Sequence, residues 1–193
     1  MTSPLAAFHR ANLLTYASLA SAGGALVAAG SRHAAAAGAL IALAVIFDTF
    51  DGKFARLFTR TESERAIGVQ LDSLSDAIAF GLVPPVTVAL LVGSTSAAAT
   101  AAGFAYAASA ITRLAFYNVS HEQHDGFIGL PVPVAALIWA TTLLLEPAAS
   151  IFIGVAAATA LAMVFPIPIP RPRGAAMAAF VCWPLTLIVA FLS

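Results

Sequence analysis

Asp48, Asp51, Asp72 and Asp76 fall within 29 positions of a chain that is 61% hydrophobic and only 9% charged. On a helix, Asp48, Asp51, Gly52, Ala55 and Arg56 follow the i, i+3, i+4, i+7, i+8 pattern of a single face. Gly68, Asp72 and Asp76, each four apart, share one face of a following helix. If the two faces meet, four carboxylates form an all-oxygen set that suits a hard cation such as Mg²⁺ or Mn²⁺. No His or Cys joins the set, so zinc is not expected. Gly52 and Ala55 leave the backbone bare for a flat ligand, and the planar fork of Arg56 suits a phosphate. This combination points to the handling of a metal-bound diphosphate. The competing reading has the acids capping helix ends or pairing with Arg56, Arg60 and Arg65.

The elements that position these faces are expected to lie in a membrane. A soluble domain carries roughly 25% charged residues, and this chain has too few to coat a water-facing fold. Apolar runs long enough to cross a bilayer as helices lie at about 11–29, 34–57, 67–92, 97–118, 131–146, 148–166 and 174–192. They lack the apolar–polar alternation of barrel strands, and their Ala and Gly suit close helix packing in lipid. The expectation is one all-α integral-membrane domain over 1–193, a six-helix core with a seventh C-terminal span. Residues 2–10 read as a short interfacial segment. His9 and Arg10 before an apolar run, with Ala34–Ala37 after it, also fit a signal peptide. The six further runs favour a retained first helix.

A carboxylate at mid-membrane costs roughly 2.5–3.5 kcal/mol. The third run holds no Lys or Arg to neutralise Asp72 and Asp76, which again calls for a bound cation. With the N-terminus cytoplasmic, Arg10, Lys53, Arg56, Arg60, Arg65, Arg113, Arg171 and Arg173 lie towards the inside and only Arg32 lies outside. That orientation puts all four aspartates at the cytosolic face of the cytoplasmic (inner) membrane. A formal net charge of zero argues against non-specific nucleic-acid binding. Cys182, the one cysteine, is expected to be an inert core thiol.

"DTFDGKFAR" and then "GVQLDSLSD" resemble the signature of the CDP-alcohol phosphotransferases, D-x-x-D-G-x-x-A-R, a spacer, and G-x-x-x-D-x-x-x-D. All eight specified residues match. Eleven residues separate Arg56 from Gly68, a few more than the family usually carries, and they are expected to extend the loop "TRTESERA". Within the family the chain is similar to the CDP-diacylglycerol–serine O-phosphatidyltransferases, or phosphatidylserine synthases. "ANLLTYASLASAGG", "LDSLSDAIAFGLVP", "TRLAFYN", "FIGLPVPVAA" and "PIPIP" carry that likeness. The glycerol-phosphate branch tends to have Pro and Lys where Ser73 and Ala77 stand; Phe116 and Val132 depart from the Arg and Ser of the serine-using group.

The resemblance implies that Asp48, Asp51 and Asp72 hold two divalent ions, Mg²⁺ or Mn²⁺, against the diphosphate of CDP-diacylglycerol. It implies that Asp76 completes the metal site and serves as general base on the serine hydroxyl. Gly52, Ala55 and Gly68 would border the cytidine and Arg56 would contact a phosphate. The products would be phosphatidylserine and CMP, and relatives commonly form homodimers. Arg113 and Asn118, at the cytoplasmic end of the fourth span, are candidates for holding the acceptor carboxylate. Arg113 could instead snorkel to the interface.

The polar loop with His121, Glu122, His124 and Asp125 reads as solvated rather than metal-binding. "PIPIPRPRG" reads as an extended connector, with Arg171 and Arg173 at lipid headgroups. Trp139 and Trp183 read as packing residues or interfacial anchors. Glycerol 3-phosphate and an inositol phosphate stay open as acceptors. A cation transporter is a different class that also places acids in a membrane, but the discontinuous helices and paired halves it needs are not visible.

Overall fold

The computed structural model describes residues 8–93, 96–120, 126–144, 148–170 and 173–193. The expected interfacial segment at 2–10 lies mostly outside the described residues. From Arg10 the chain forms a 3-10 turn, Arg10–Asn12, closed by His9, whose Nδ1 accepts from the Ala11 N–H at 3.0 Å. Helix α1, Leu13–Gly30, follows and lies along α2, Ala34–Ala55. Small side chains let the two backbones approach: Ala22, Ala25, Ala29, Ala37 and Ala44 are fully buried. The Ser18 hydroxyl donates to the Ala44 carbonyl at 3.0 Å across the seam. Helix α1 is thus packed into the bundle.

Helix α3, Glu62–Asp76, begins a full turn before the apolar run that announced it. Thr61 and Glu64 form a reciprocal capping box, with Glu64 Oε2 accepting from the Thr61 N–H at 2.8 Å. Most of "TRTESERA", expected as an extended loop, is therefore the first turns of α3. The T-x-x-E pattern carried that information in the sequence.

After Asp76 the rod changes register. Ala77–Leu82 form a π-helical turn before α4, Val83–Val92. The cause is "VPP": Pro84 and Pro85 have no N–H for the Phe80 carbonyl in either the α or the π register. The buried Tyr106 hydroxyl donates to that carbonyl instead, at 2.8 Å. Tyr106 belongs to α5, Ala97–Ser120. Its ring meets Trp139 of α6, Val132–Leu143, which in turn meets Phe152 of α7, Ala149–Val164. These three edge-to-face rings are fully buried at the centre of the bundle. Trp139 is therefore a core residue and not an interfacial anchor.

The connector "PIPIP" is extended as expected, and it also pairs. Strand β1, Phe127–Ile128, runs antiparallel to β2, Pro168–Ile169. Gly129 beside it has φ +72, and a Cβ there would run into the Met163 carbonyl. The Gly129 N–H donates to Ile167 O at 2.9 Å and the Leu130 N–H to Ala162 O at 2.8 Å. Of the arginines after this strand, Arg171 lies outside the described residues and Arg173 is exposed.

Helix α8, Ala175–Leu192, leans on α2 and α6. Phe191 covers Gly38, and Trp183 Nε1 donates to Thr141 Oγ1 at 3.0 Å. Touching the bundle along one stripe, α8 leaves Cys182 exposed. This corrects the expected core thiol: a terminal span can turn apolar residues to lipid.

Among the described residues, four helical stretches are long and apolar enough to cross a bilayer: Arg10–Gly30, Ala34–Ala55, Glu62–Val92 and Ala175–Leu192. Helices α6 and α7 are apolar but shorter, at 12 and 16 residues. The architecture is that of a multi-pass, all-α membrane protein.

Candidate active site

Helices α2 and α3 bring the two acidic faces together as their spacing requires. One carboxylate oxygen each from Asp48, Asp72 and Asp76 lies within 4.8 Å of the others. Asp51 stands beside Asp72, and Asp48 beside Asp76, so each pair crosses between helices. All four are half-buried. The competing roles fit poorly. Asp76 makes no capping hydrogen bond to the turn it precedes, and Asp48 and Asp51 sit within α2. The Arg65 guanidinium donates to the Arg60 carbonyl, at 3.1 and 3.3 Å. Four converging carboxylates in an apolar setting repel one another unless a cation lies between them. The oxygen-only donors and their spacing fit Mg²⁺ or Mn²⁺.

Beside the acids lies a cavity of about 130 Å³, lined by Asp51, Asp72, Gly52, Ala55 and Gly68 together with Asn12, Thr15 and Arg60. A Cβ on Gly52 would meet nothing within 4 Å, so this wall is open, as the bare-backbone argument expects. Gly68 is different: a Cβ there would sit 3.1 Å from Arg60 Nη1 and 3.3 Å from Asn12 Oδ1. The glycine lets both side chains close over the cavity. Arg56 is exposed just past the end of α2 and is not among the lining residues; Arg60 occupies that place. Arg56 follows Ala55 as the cap of α2 and keeps helical φ and ψ of −71 and −14. The helix stops at Ala55, and the loop carries Arg60 back over Gly68.

Helix α1 and the turn before it supply two residues that spacing arguments on α2 and α3 missed. Thr15 Oγ1 donates to Asp51 Oδ2 at 2.8 Å. Asn12 is 4% exposed and points its carboxamide at the cavity. Their signal was "NLLT", two buried polar residues three apart at the start of an apolar helix. Ser75 Oγ donates to the Thr15 carbonyl at 3.3 Å and locks α3 onto α1 at this level.

Both acceptor-site candidates come to the other flank of the acids. Asn118 is hydrogen-bonded to the Ser73 hydroxyl at 2.9 and 3.1 Å, which ties α5 to the residue after Asp72. Arg113 does not snorkel. It is 7% exposed, and its charge is felt at Asp76. Its Nε and Nη2 are buried with no hydrogen-bond partner among the described residues. The guanidinium carbon lies over the rings of Tyr117 and Phe127, at 6.0 and 5.9 Å. His121, Glu122, His124 and Asp125 lie outside the described residues.

Comparison with known proteins agrees with this geometry. The family described as CDP-alcohol phosphatidyltransferase matches residues 8–168. A CDP-diacylglycerol–serine O-phosphatidyltransferase of Helicobacter pylori is 36% identical over 110 residues, 55% of this chain and 45% of that protein. One of Mycobacterium bovis is 32% identical over 118 residues, 58% of this chain and 40% of that protein. An archaetidylserine synthase of Methanothermobacter thermautotrophicus is 36% identical over 98 residues, 51% of this chain and 42% of that protein. The chain thus spans less than half the length of these curated relatives. The family match runs from the residues before α1 through the first residue of β2, and so takes in every residue of the acidic cleft and its two flanks. With that match and the four-acid cleft together, the chain belongs to the CDP-alcohol phosphatidyltransferase family.

Proposed function

We propose that this chain transfers the phosphatidyl group of CDP-diacylglycerol to the hydroxyl of L-serine, releasing CMP and forming phosphatidylserine. One observation carries the reading. The four acids have a glycine-walled cavity on one flank and, on the other, a buried arginine near Asp76 whose Nε and Nη2 have no partner among the described residues. The first flank suits a nucleotide diphosphate and the second a small anionic acceptor. The activities for which the relatives are named agree with it.

In this reading Asp48, Asp51, Asp72 and Asp76 would hold two divalent ions. Bound Mg²⁺ or Mn²⁺ would neutralise the diphosphate and stabilise the charge that gathers on departing CMP. Thr15 orients Asp51 through its hydrogen bond. Gly52, Ala55 and Gly68 form the wall for the cytidine. Arg60, reaching across Gly68, contacts the phosphates, with Arg56 at the mouth. Asp76 takes the proton of the serine hydroxyl as that oxygen attacks the β-phosphorus and the bond to the CMP oxygen breaks. Arg113, with Asn118 near it, pairs with the serine carboxylate. The acyl chains enter sideways between helices. The protein sits in the cytoplasmic membrane with the cleft open to the cytosol, and it works as a homodimer.

The test is an acceptor panel. Purified protein in lipid nanodiscs receives labelled CDP-diacylglycerol with Mg²⁺ or Mn²⁺ and L-serine, glycerol 3-phosphate or an inositol phosphate. Phosphatidylserine and CMP should form with serine, and excess EDTA should stop CMP release. Undiminished activity in chelator would sink the metal assignment. Product from a phosphate-bearing acceptor alone would reassign the acceptor. Cation flux without CMP release would point to the transporter class.

A further inference from the structure

The end of the bundle that carries the acids has a second surface, on the opposite side of α2. Asp48, Asp51, Gly52 and Ala55 take one face of this helix, so Phe50, Lys53 and Phe54, at i, i+3 and i+4, take the reverse face. Leu57, in the turn that follows, is 76% exposed. The turn before α1 packs beside this end of α2. The Arg10 guanidinium carbon lies 5.2 Å from the centre of the Phe58 ring, and Lys53 Nζ lies 5.7 Å from that of Phe50. Phe58 meets Phe54 and His9 edge-to-face at 5.2 and 6.2 Å, and the exposed Phe8 stacks on Tyr16 at 5.5 Å.

Two features fix the kind of partner. The first is depth. Arg10 begins one stretch long enough to cross a bilayer, and Lys53 and Phe54 lie in the last turn of the next, so both cations stand where the bilayer gives way to water. The second is the mixture of side chains. Arg10 and Lys53 are exposed and lie over rings, and among the described residues neither pairs with a carboxylate. The acids of the adjoining elements are engaged elsewhere: Glu64 in the cap of α3, Asp48 and Asp51 on the cleft side. Resting a cation on a ring holds it in place without neutralising it. A dissolved phosphate needs the cations but not Phe8 and Leu57 held out beside them. A phospholipid uses both, with its phosphate at the cations and its upper acyl chains on the apolar side chains.

We infer that Arg10 and Lys53, with Phe8, Phe54, Leu57 and Phe58, form a site for an anionic phospholipid headgroup in the leaflet on the cleft's side. The site lies outside the cleft and is the same whichever alcohol the cleft accepts. Its occupant ties the turn before α1 to the end of α2, the two segments that carry Asn12 and Asp51 to the cavity wall.

Native mass spectrometry of the full chain in detergent, titrated with dioleoyl-phosphatidylglycerol or dioleoyl-phosphatidylcholine, measures the apparent Kd of the first bound lipid. Phosphatidylglycerol should bind about 10- to 30-fold more tightly, since each basic side chain near an anionic surface contributes about fivefold. Arg10→Gln/Lys53→Gln should remove most of that preference, and Arg10→Lys/Lys53→Arg should keep it within about threefold. If the Gln double variant fails to fold, Arg10→Gln and Lys53→Gln should each cost about fivefold alone. Equal affinity of the wild type for the two lipids overturns the inference. A wild-type preference that survives in the Gln variants also overturns it, because the lipid then binds elsewhere. Release of the lipid by millimolar glycerol 3-phosphate would make this a free-phosphate site and overturn the lipid assignment. No arm measures turnover, so the proposed function stands or falls separately.

Discussion

Asp76 occupies a junction. It ends α3, makes no capping bond, adjoins Asp48 on one side and faces Arg113 on the other. A metal ligand and a base differ in what their loss removes. Asp76→Asn should leave CDP-diacylglycerol affinity within about threefold, because three carboxylates remain. Turnover should drop by about 10²–10⁴, the usual contribution of a general base. Equilibrium binding of the nucleotide lipid and single-turnover CMP release measure the two separately; a parallel loss would make Asp76 mainly a ligand. At this scale the four aspartates, Gly52, Ala55 and Gly68 were legible because helical spacing alone puts them on two faces. Arg60 was not legible. A six-residue loop between α2 and α3 decides which arginine turns back, and no periodicity governs a loop.

The element most exposed to a single change is the π turn that follows Asp76. Its Phe80 carbonyl has lost both possible backbone donors to Pro84 and Pro85, and Tyr106 of α5 replaces them. Tyr106→Phe keeps the ring against Trp139 and removes only the hydroxyl. The expected cost is roughly 1 kcal/mol, the net value of a buried hydrogen bond. That is about 2–4 °C in Tm for a chain of this size. A thermal-shift measurement in detergent would show it, and an unchanged Tm would mean the carbonyl finds another partner. The prolines announced a break in the third span. The identity of the rescuing donor, 22 residues beyond Pro84, depends on how α5 packs.

Across the whole molecule, Arg32 and the acids mark opposite ends. Arg32, with φ +61 between α1 and α2, donates from Nη1 to the Leu91 carbonyl at 2.7 Å, capping the far end of α4. This gives the one arginine on the minority side a local purpose and removes it as an argument against the positive-inside orientation. The orientation itself is open to test in a Cys182→Ser background, with Ser31→Cys and Glu62→Cys, both at exposed positions, as reporters. An impermeant maleimide should label Glu62→Cys only in inverted membrane vesicles and Ser31→Cys only in right-side-out ones. The reverse pattern would place the cleft outside.

The sequence by itself determined the membrane class, the helical rods and the two acidic faces. Each follows from composition or a local period, and neither depends on what packs where. Tertiary structure alone decided which face α1 turns to the cleft, so Asn12 and Thr15 joined the site through contacts that "NLLT" only hinted at. It also decided the fate of Cys182: hydropathy says that a span is apolar, whereas packing against α2 and α6 says which stripe of it is buried. The ring beside Arg113 is the clearest case. Phe127 reaches Arg113 because β1 pairs with a strand some forty residues later, and a two-residue strand has too short a pattern for the sequence to reveal its partner.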